Sequence, residues 1–404
     1  MKKNVRLYIL LFCVICFFAV APFLVAYSMG YRFDIEGRKI VGTGGIYVRT
    51  FPAAEQVLID SKIAAKPGIF SGAIFVQSLL PKNHTVLVQK TGYYDYQKTI
   101  SVQEKTVTKL ENITLFKKSV AFSPVAEFPI AKTEKILDIK WAGDSSAALV
   151  KTQNSKNIFY YLFTPPSEFV RLPYLDKNSQ TIFFNPGDPQ EIFYLENQNI
   201  YSLKNSKVQT IIKGALSYAF LENSIVWLSS DGGLYESDIS GNLVRAILAK
   251  NTQIHEDKKY ELKVVSGKIF LQENDLLYLF DQNTRSFENF GAPEGNYKIF
   301  EAPDGKNLVL WSDKKIYLYS FENQRFAELF SGQSLKNCQW LNNDYIIFTS
   351  GNEVIISEID YRGNINTVTL PGAFDNPQIF YVRQSGKIYV LIGNTLSISE
   401  KLTP

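Results

Sequence analysis

Histidine is almost missing from this chain: two occur among 404 residues, His84 and His255. Serine–histidine catalysis needs a histidine. His255, the histidine of the C-terminal half, lies in the polar run Asn251 to Lys258 and reads as a solvated loop. His84 has no partner at metal-ligand spacing and reads as a structural residue at a turn. Cysteine is as scarce. Cys13 and Cys16 lie in an apolar N-terminal run and Cys338 stands alone, so no disulfide framework holds a domain together. Phosphate and dinucleotide loops are missing too. Gly42-Thr43-Gly44-Gly45 is glycine-rich, but Tyr47 stands where a dinucleotide fingerprint needs glycine, so the run reads as a hinge. A calcium loop fails at Asp281-Gln282-Asn283-Thr284-Arg285, where arginine replaces an oxygen ligand. No metal or cofactor is therefore expected. Charge of either sign is not in excess: 43 Lys and Arg against 39 Asp and Glu give +4. Lys2, Lys3 and Arg6 supply three of those charges, and a near-neutral remainder argues against nucleic acid as a partner.

What the chain does have begins with an uncharged run from Leu7 to Ala26. At 1.5 Å per residue, about twenty residues cross a hydrocarbon core of about 30 Å. Lys2, Lys3 and Arg6 precede the run, and Tyr27 and Tyr31 follow it at the depth aromatic residues favour. A cleaved signal peptide is the rival reading, but its apolar core is shorter, about 7–15 residues, and Pro22 obstructs cleavage after Ala21. Cys13 and Cys16 share a helix face and read as lipid-facing. Residues 1–6 are expected to be a cytoplasmic tail, 7–27 a single-pass anchor and 28–43 a polar juxtamembrane linker. Arg32, Arg38 and Lys39 match the basic residues before the run, so orientation rests on the long following part being translocated.

Residues 44–116 alternate as half-buried strands do. The runs are Ile46 to Thr50, Gln56 to Ile59, Phe75-Val76, Thr85 to Lys90, Thr99 to Val102 and Thr108 to Leu115. Turn signals separate them at Asp60-Ser61, Pro81-Lys82-Asn83 and Thr91-Gly92-Tyr93. Four stretches carry a family likeness: Pro52-Ala53-Ala54-Glu55, Val57-Leu58-Ile59-Asp60-Ser61, Leu80-Pro81-Lys82-Asn83-His84 and Val86-Leu87-Val88-Gln89-Lys90-Thr91-Gly92-Tyr93. In order and spacing they resemble the PEGA domain, a small β-sandwich of bacterial and archaeal envelope proteins. Ser61 and Asn83 stand where that family has glycine. The resemblance implies an extracytoplasmic adhesion or spacer role and no catalytic residue.

From about Asp138 the chain repeats with a period of about forty residues, which points to a propeller. One unit runs from Tyr297 through Asn307 to Trp311 and Ile316 to Tyr319 to Arg325 to Leu329, and others begin near Asp138, Thr181, Ser217, Glu261, Asn337 and Gln378. That makes about seven units over residues 117–404. No long amphipathic helix lies between strands, which excludes a βαβ fold. The last unit has strands at Gln378 to Tyr381, Ile388 to Leu391 and Leu396 to Ser399 but no outer strand. A ring removes exposed edges, so part of residues 119–130 is expected to pair beside Leu396 to Ser399.

The fold class expected is thus all-β: a transmembrane helix, a PEGA-like β-sandwich, then a propeller. The function expected is non-catalytic: a membrane-anchored extracytoplasmic protein that binds an envelope protein or a cell-wall glycan. Asp138, Glu261 and Glu301, on or beside inner strands, keep a second reading open, an envelope glycosidase or lyase with its site on the propeller axis.

Overall fold

A computed structural model describes residues 3–65, 72–142, 146–165 and 168–402. Lys2, one of the three basic residues before the apolar run, lies outside them. The chain divides into two units, one formed by residues up to Ser119 together with Asp360–Val368, the other by Val120–Ile359 and Thr369–Leu402.

The first unit opens with the helix Lys3–Ser28, whose apolar stretch Leu7–Ser28 has no buried residue. The polar stretch after it is not a plain linker. Tyr31–Asp34 and Lys39–Gly42 pair as an antiparallel hairpin. The glycine run is not a hinge either. A Cβ on Gly44 would lie 2.3 Å from the Gln103 carbonyl oxygen, and one on Gly45 would lie 2.7 Å from the Phe75 ring. Both belong to the strand Gly44–Phe51, so these glycines serve close approach rather than freedom.

Two sheets follow. One orders Ala73–Leu79, Gly44–Phe51 and Val107–Thr114, the last pair parallel; the other orders Lys62–Ala65, Gln56–Ile59, Asn83–Gln89 and Tyr96–Ser101. Alternate residues of each point inward to one core, which joins Ile46, Val48 and Leu110 to Val57, Val86 and Val88. Gly92 takes φ 81° in the turn that needs it.

The edge strand Tyr96–Ser101 is covered by residues 360–368. The Asn364 side-chain amide copies a strand partner, accepting from Thr99 N at 2.9 Å and donating to Gln97 O at 2.8 Å. Asn366 Oδ1 accepts from Gln97 N at 3.2 Å. Gly363, at φ 68°, lets the loop close in, since a Cβ there would sit 2.0 Å from Thr99 O. Lys98 is fully buried and donates to Asp360 O at 2.6 Å and Asn364 O at 2.9 Å.

The second unit is a β-propeller. Among the described residues, seven four-stranded antiparallel sheets follow one another. Their innermost strands are Lys135–Trp141, Gln180–Asn185, Ala215–Leu221, Tyr260–Val265, Lys298–Glu301, Leu335–Trp340 and Gln378–Val382, beginning where the sequence repeat places them. In the last sheet the strand Phe122–Glu127 is the outer member, paired with Thr395–Ser399 through Phe122↔Ser399 and Ser123↔Ile398. The expected closure is therefore present. The ladder shifts between Pro124 and Ala126, which fits a proline on an outer strand. Phe128 N donates to Asn394 O at 2.9 Å just beyond it.

Apolar clusters lie between successive sheets. One joins Leu391 and Leu396 of the last sheet to Ala148, Val150 and Phe163 of the first. Phe128 sits in that cluster, with its ring 4.9 Å from Phe163 and 5.2 Å from Phe169 between centroids.

Two outcomes follow. Phe128→Ala should destabilise the propeller by about 3–5 kcal/mol, as aromatic truncations in cores do, whereas Val208→Ala on an exposed outer strand should stay within about 0.5 kcal/mol. Denaturant unfolding measures both, and a small effect at Phe128 would remove the closure cluster from the fold's main supports. Lys98→Met should leave the Asp360 and Asn364 carbonyls without their donor and cost about 1–3 kcal/mol by the same measurement. Stability unchanged by that substitution would mean that the loop's grip does not pass through Lys98.

Candidate functional site

Successive residues of a strand point to opposite faces of its sheet, so residues two apart share a face. Asp138 and Lys140 therefore share one face of Lys135–Trp141, and Glu261 and Lys263 share one face of Tyr260–Val265. Lys298 opens the next inner strand, Lys298–Glu301. Lys263 donates to Glu261 at 3.0 Å. The charges of Asp138, Glu261 and Lys298 all act on the Lys140 ammonium, although they come from the first, fourth and fifth sheets, so this charged set spans the inner strands of three sheets.

The lysines are held in distinct ways. Lys140 lies over the Phe183 ring, 3.9 Å from its centroid, and donates to Ile182 O. Burial pushes its pKa down to about 8; the carboxylates of Asp138 and Glu261 pull the other way, and Lys298 adds to the fall. Lys263 is nearly buried and pairs with Glu261 at 3.0 Å. Burial lowers its pKa as well, against the pull of Glu261. Lys298 is exposed and lies over Trp311, 4.8 Å from the ring centroid. Three cations and two carboxylates leave the cluster one positive charge in excess.

The carboxylates anticipated from the sequence divide. Asp138 and Glu261 both favour the charged form of Lys140, and Glu261 pairs with Lys263. Glu301 does not join them in that role; it pairs with Lys268 at 3.5 Å, whose ammonium also lies over Phe321. The lysines were not anticipated. Their signal was an acidic residue followed two places later by lysine, Asp138-x-Lys140 and Glu261-x-Lys263, on two inner strands.

His84 is buried at the start of Asn83–Gln89, with Nδ1 2.6 Å from Asp60 Oδ2 and Nε2 2.8 Å from Leu80 O. Burial raises the Asp60 pKa, but the bonds from Thr85 N–H and His84 outweigh it and hold the carboxyl below the usual range. This is a turn-locking contact, in line with the structural reading. His255 is exposed in a loop. Cys338 is buried, and desolvation pushes its thiol well above the ordinary value. Among the described residues, no three His, Cys, Asp or Glu side chains are placed to hold a metal ion.

The depressed Lys140 pKa has a consequence for stability. Its folded value of about 8 lies below the ordinary 10.5. Between those values the unfolded chain holds more protons, so folding strengthens as pH rises through that window. Lys140→Met removes this dependence. The melting temperature of the variant, relative to the native chain, should therefore fall as pH rises from about 8 to 10.5. A difference independent of pH, followed by calorimetry, would show that the amine is not desolvated.

No protein-family model and no curated protein sequence matches the chain. Two solved structures are among those similar to it. YCF48 from Cyanidioschyzon merolae is 11% identical, covers 69% of this chain and 98% of its own, and superimposes with a TM-score of 0.48. A streptogramin B lyase structure is 13% identical, covers 70% of this chain and 97% of its own, with a TM-score of 0.47.

Proposed function

We propose that the chain is a single-pass membrane protein whose extracytoplasmic part is a non-catalytic binding platform. Residues 7–28 act as the anchor, the two-sheet unit as a PEGA-like spacer, and the seven-bladed propeller as the binding part. The helix is long enough for the anchor role, because 22 apolar residues at 1.5 Å each reach about 33 Å. Support for the PEGA likeness comes from the turn at Asp60 and Ser61, where both residues take positive φ, 49° and 65°. That family carries glycine at the second of these positions.

The observation that carries the binding reading is a charged set on the inner strands: Lys140 held over Phe183, Lys263 paired with Glu261 and Lys298 over Trp311, coupled by charge to one another and to Asp138. A net cationic set beside the faces of Phe183 and Trp311 suits an acidic glycan or an acidic side chain of an envelope protein. The bonds of Lys140 and Glu261 to their neighbours fix the geometry before a ligand arrives, which lowers the ordering cost of binding.

The same site favours a second reading, a glycosidase or lyase, on one observation: the Asp138 and Glu261 charges both act on a common amine, Lys140. A general acid is usually kept in an apolar pocket, and both carboxylates here face lysine, so binding is preferred.

Two measurements test the proposal. A reporter active only outside the cytoplasm, fused after Pro404, should be active; inactivity would reverse the orientation. Acidic glycans should bind the full chain without product release and lose affinity in Lys140→Met and Lys298→Met. Turnover abolished by Glu261→Gln would make the second reading the correct one.

A further inference from the structure

The hairpin after the helix has its faces the wrong way round for a ribbon in water. Its register pairs Arg32 with Val41 on one face and Phe33 with Ile40 on the other. The first face is used internally. Val41 is 3% exposed. The Arg32 guanidinium stacks 3.4 Å from the Tyr27 ring centroid and donates to Tyr27 O at 2.8 Å, Tyr31 O at 2.9 Å and Ser78 Oγ at 3.2 Å. The second face should then be polar, as it is on a sheet with one side in solvent. It is apolar instead: Phe33 is 60% and Ile40 62% exposed, and Ile35 at the turn is 80% exposed. Single exposed apolar residues are ordinary; a cross-strand pair extended by a third residue is a patch.

The position of the hairpin says what covers it. The helix runs to Ser28 and the first strand starts at Tyr31. Met29 N and Gly30 N still bond back to Val25 O and Tyr27 O, at 3.0 and 3.2 Å, so the join has no slack. Thr43, just past the second strand, clamps the same join by donating from its backbone N at 2.9 Å and its Oγ1 at 2.6 Å to Gly30 O. A helix spanning a core of about 30 Å ends where a headgroup layer of about 5–8 Å begins, so a strand starting three residues later begins inside that layer. Arg38 in the turn and Lys39 at the start of the second strand are balanced by Asp34 and Glu36, which leaves insertion of apolar groups as the driving contact.

We propose that residues 31–42 are a lipid-contacting hairpin whose Phe33, Ile35 and Ile40 insert among the headgroups of the bilayer that residues 7–28 cross. This rests on the anchor reading above. It makes the helix and hairpin one membrane-seated element and fixes the rotation of the first unit at the surface.

The test uses the full chain with Cys13→Ser and Cys16→Ser, reconstituted in phosphatidylcholine vesicles. Nitroxide labels are placed one at a time through Phe18→Cys, Ile35→Cys, Ile40→Cys, Asp34→Cys and Lys62→Cys. Collision rates with oxygen and with a water-soluble nickel chelate give the depth of each. The label at 18 should be shielded from nickel as a residue in the hydrocarbon core. Labels at 35 and 40 should be shielded severalfold relative to 62, and 34, on the opposite face, should be less shielded than either. If 35 and 40 collide with nickel as often as 62 while 18 stays shielded, the anchor stands and the hairpin contact is overturned. Equal shielding at 34, 35 and 40 would also overturn it, because nearness to the bilayer without insertion of one face gives that result. If 18 is as accessible as 62, the anchor reading falls and the proposal falls with it.

Discussion

The propeller depends on what its inner strands do with their free edges. Each sheet ends inward on a strand whose backbone has no further strand to pair with. A buried donor or acceptor left without a partner costs about 1–3 kcal/mol. This chain answers with side chains that cross from one inner strand to the next. Lys140 reaches Ile182 O, Ser217 accepts from Leu262 N, Trp340 donates to Phe300 O, and Asn337 and Gln339 accept from Ile379 N and Tyr381 N. Their sequence separations are 42, 45, 40, 42 and 42 residues. Each is one repeat long, so the period that builds the sheets also sets the reach of the bonds between them.

Closure obeys the same constraint at the other edge. The last sheet takes its outer strand from the start of the unit, so Phe122–Glu127 and Thr395–Ser399 tie the ends of the ring together. The tie was legible from the sequence because a missing strand and an unassigned strand are both countable. The inner strands were legible for a similar reason: each begins a repeat. The strands of the first unit were readable by alternation, and its turns by residue type. The N-terminal apolar helix was readable from length and the lack of charge.

Other features left no such mark. The loop 360–368 binds Lys98 and the Tyr96–Ser101 edge through contacts spanning more than 260 residues, and no local pattern encodes a partner that distant. Asn364 acting as a strand mimic looks, in sequence, like any loop asparagine. Gly44 and Gly45 were misread because glycine density signals both freedom and close approach, and only the Gln103 and Phe75 neighbours decide between them. The hairpin at residues 31–42 escaped because its strands are short and its polar face is the one turned inward. A reading that assigns polar residues to solvent places such a segment in a linker.

The inner-strand lysines show how one side chain can belong to both accounts. Lys140 serves the ring by donating to Ile182 O, and a neutral donor such as glutamine, used here at Gln339, would do that without a buried charge. A lysine in that position carries a desolvation cost that its bond does not require. The fall of its pKa to about 8 is the measure of that cost. Asp138 and Glu261 offset part of it, and Lys298 adds to it. An arrangement chosen for stability alone would not bring a second cation toward the first. Local rules of stability are broken at functional sites, and this departure is what the binding reading proposed above rests on.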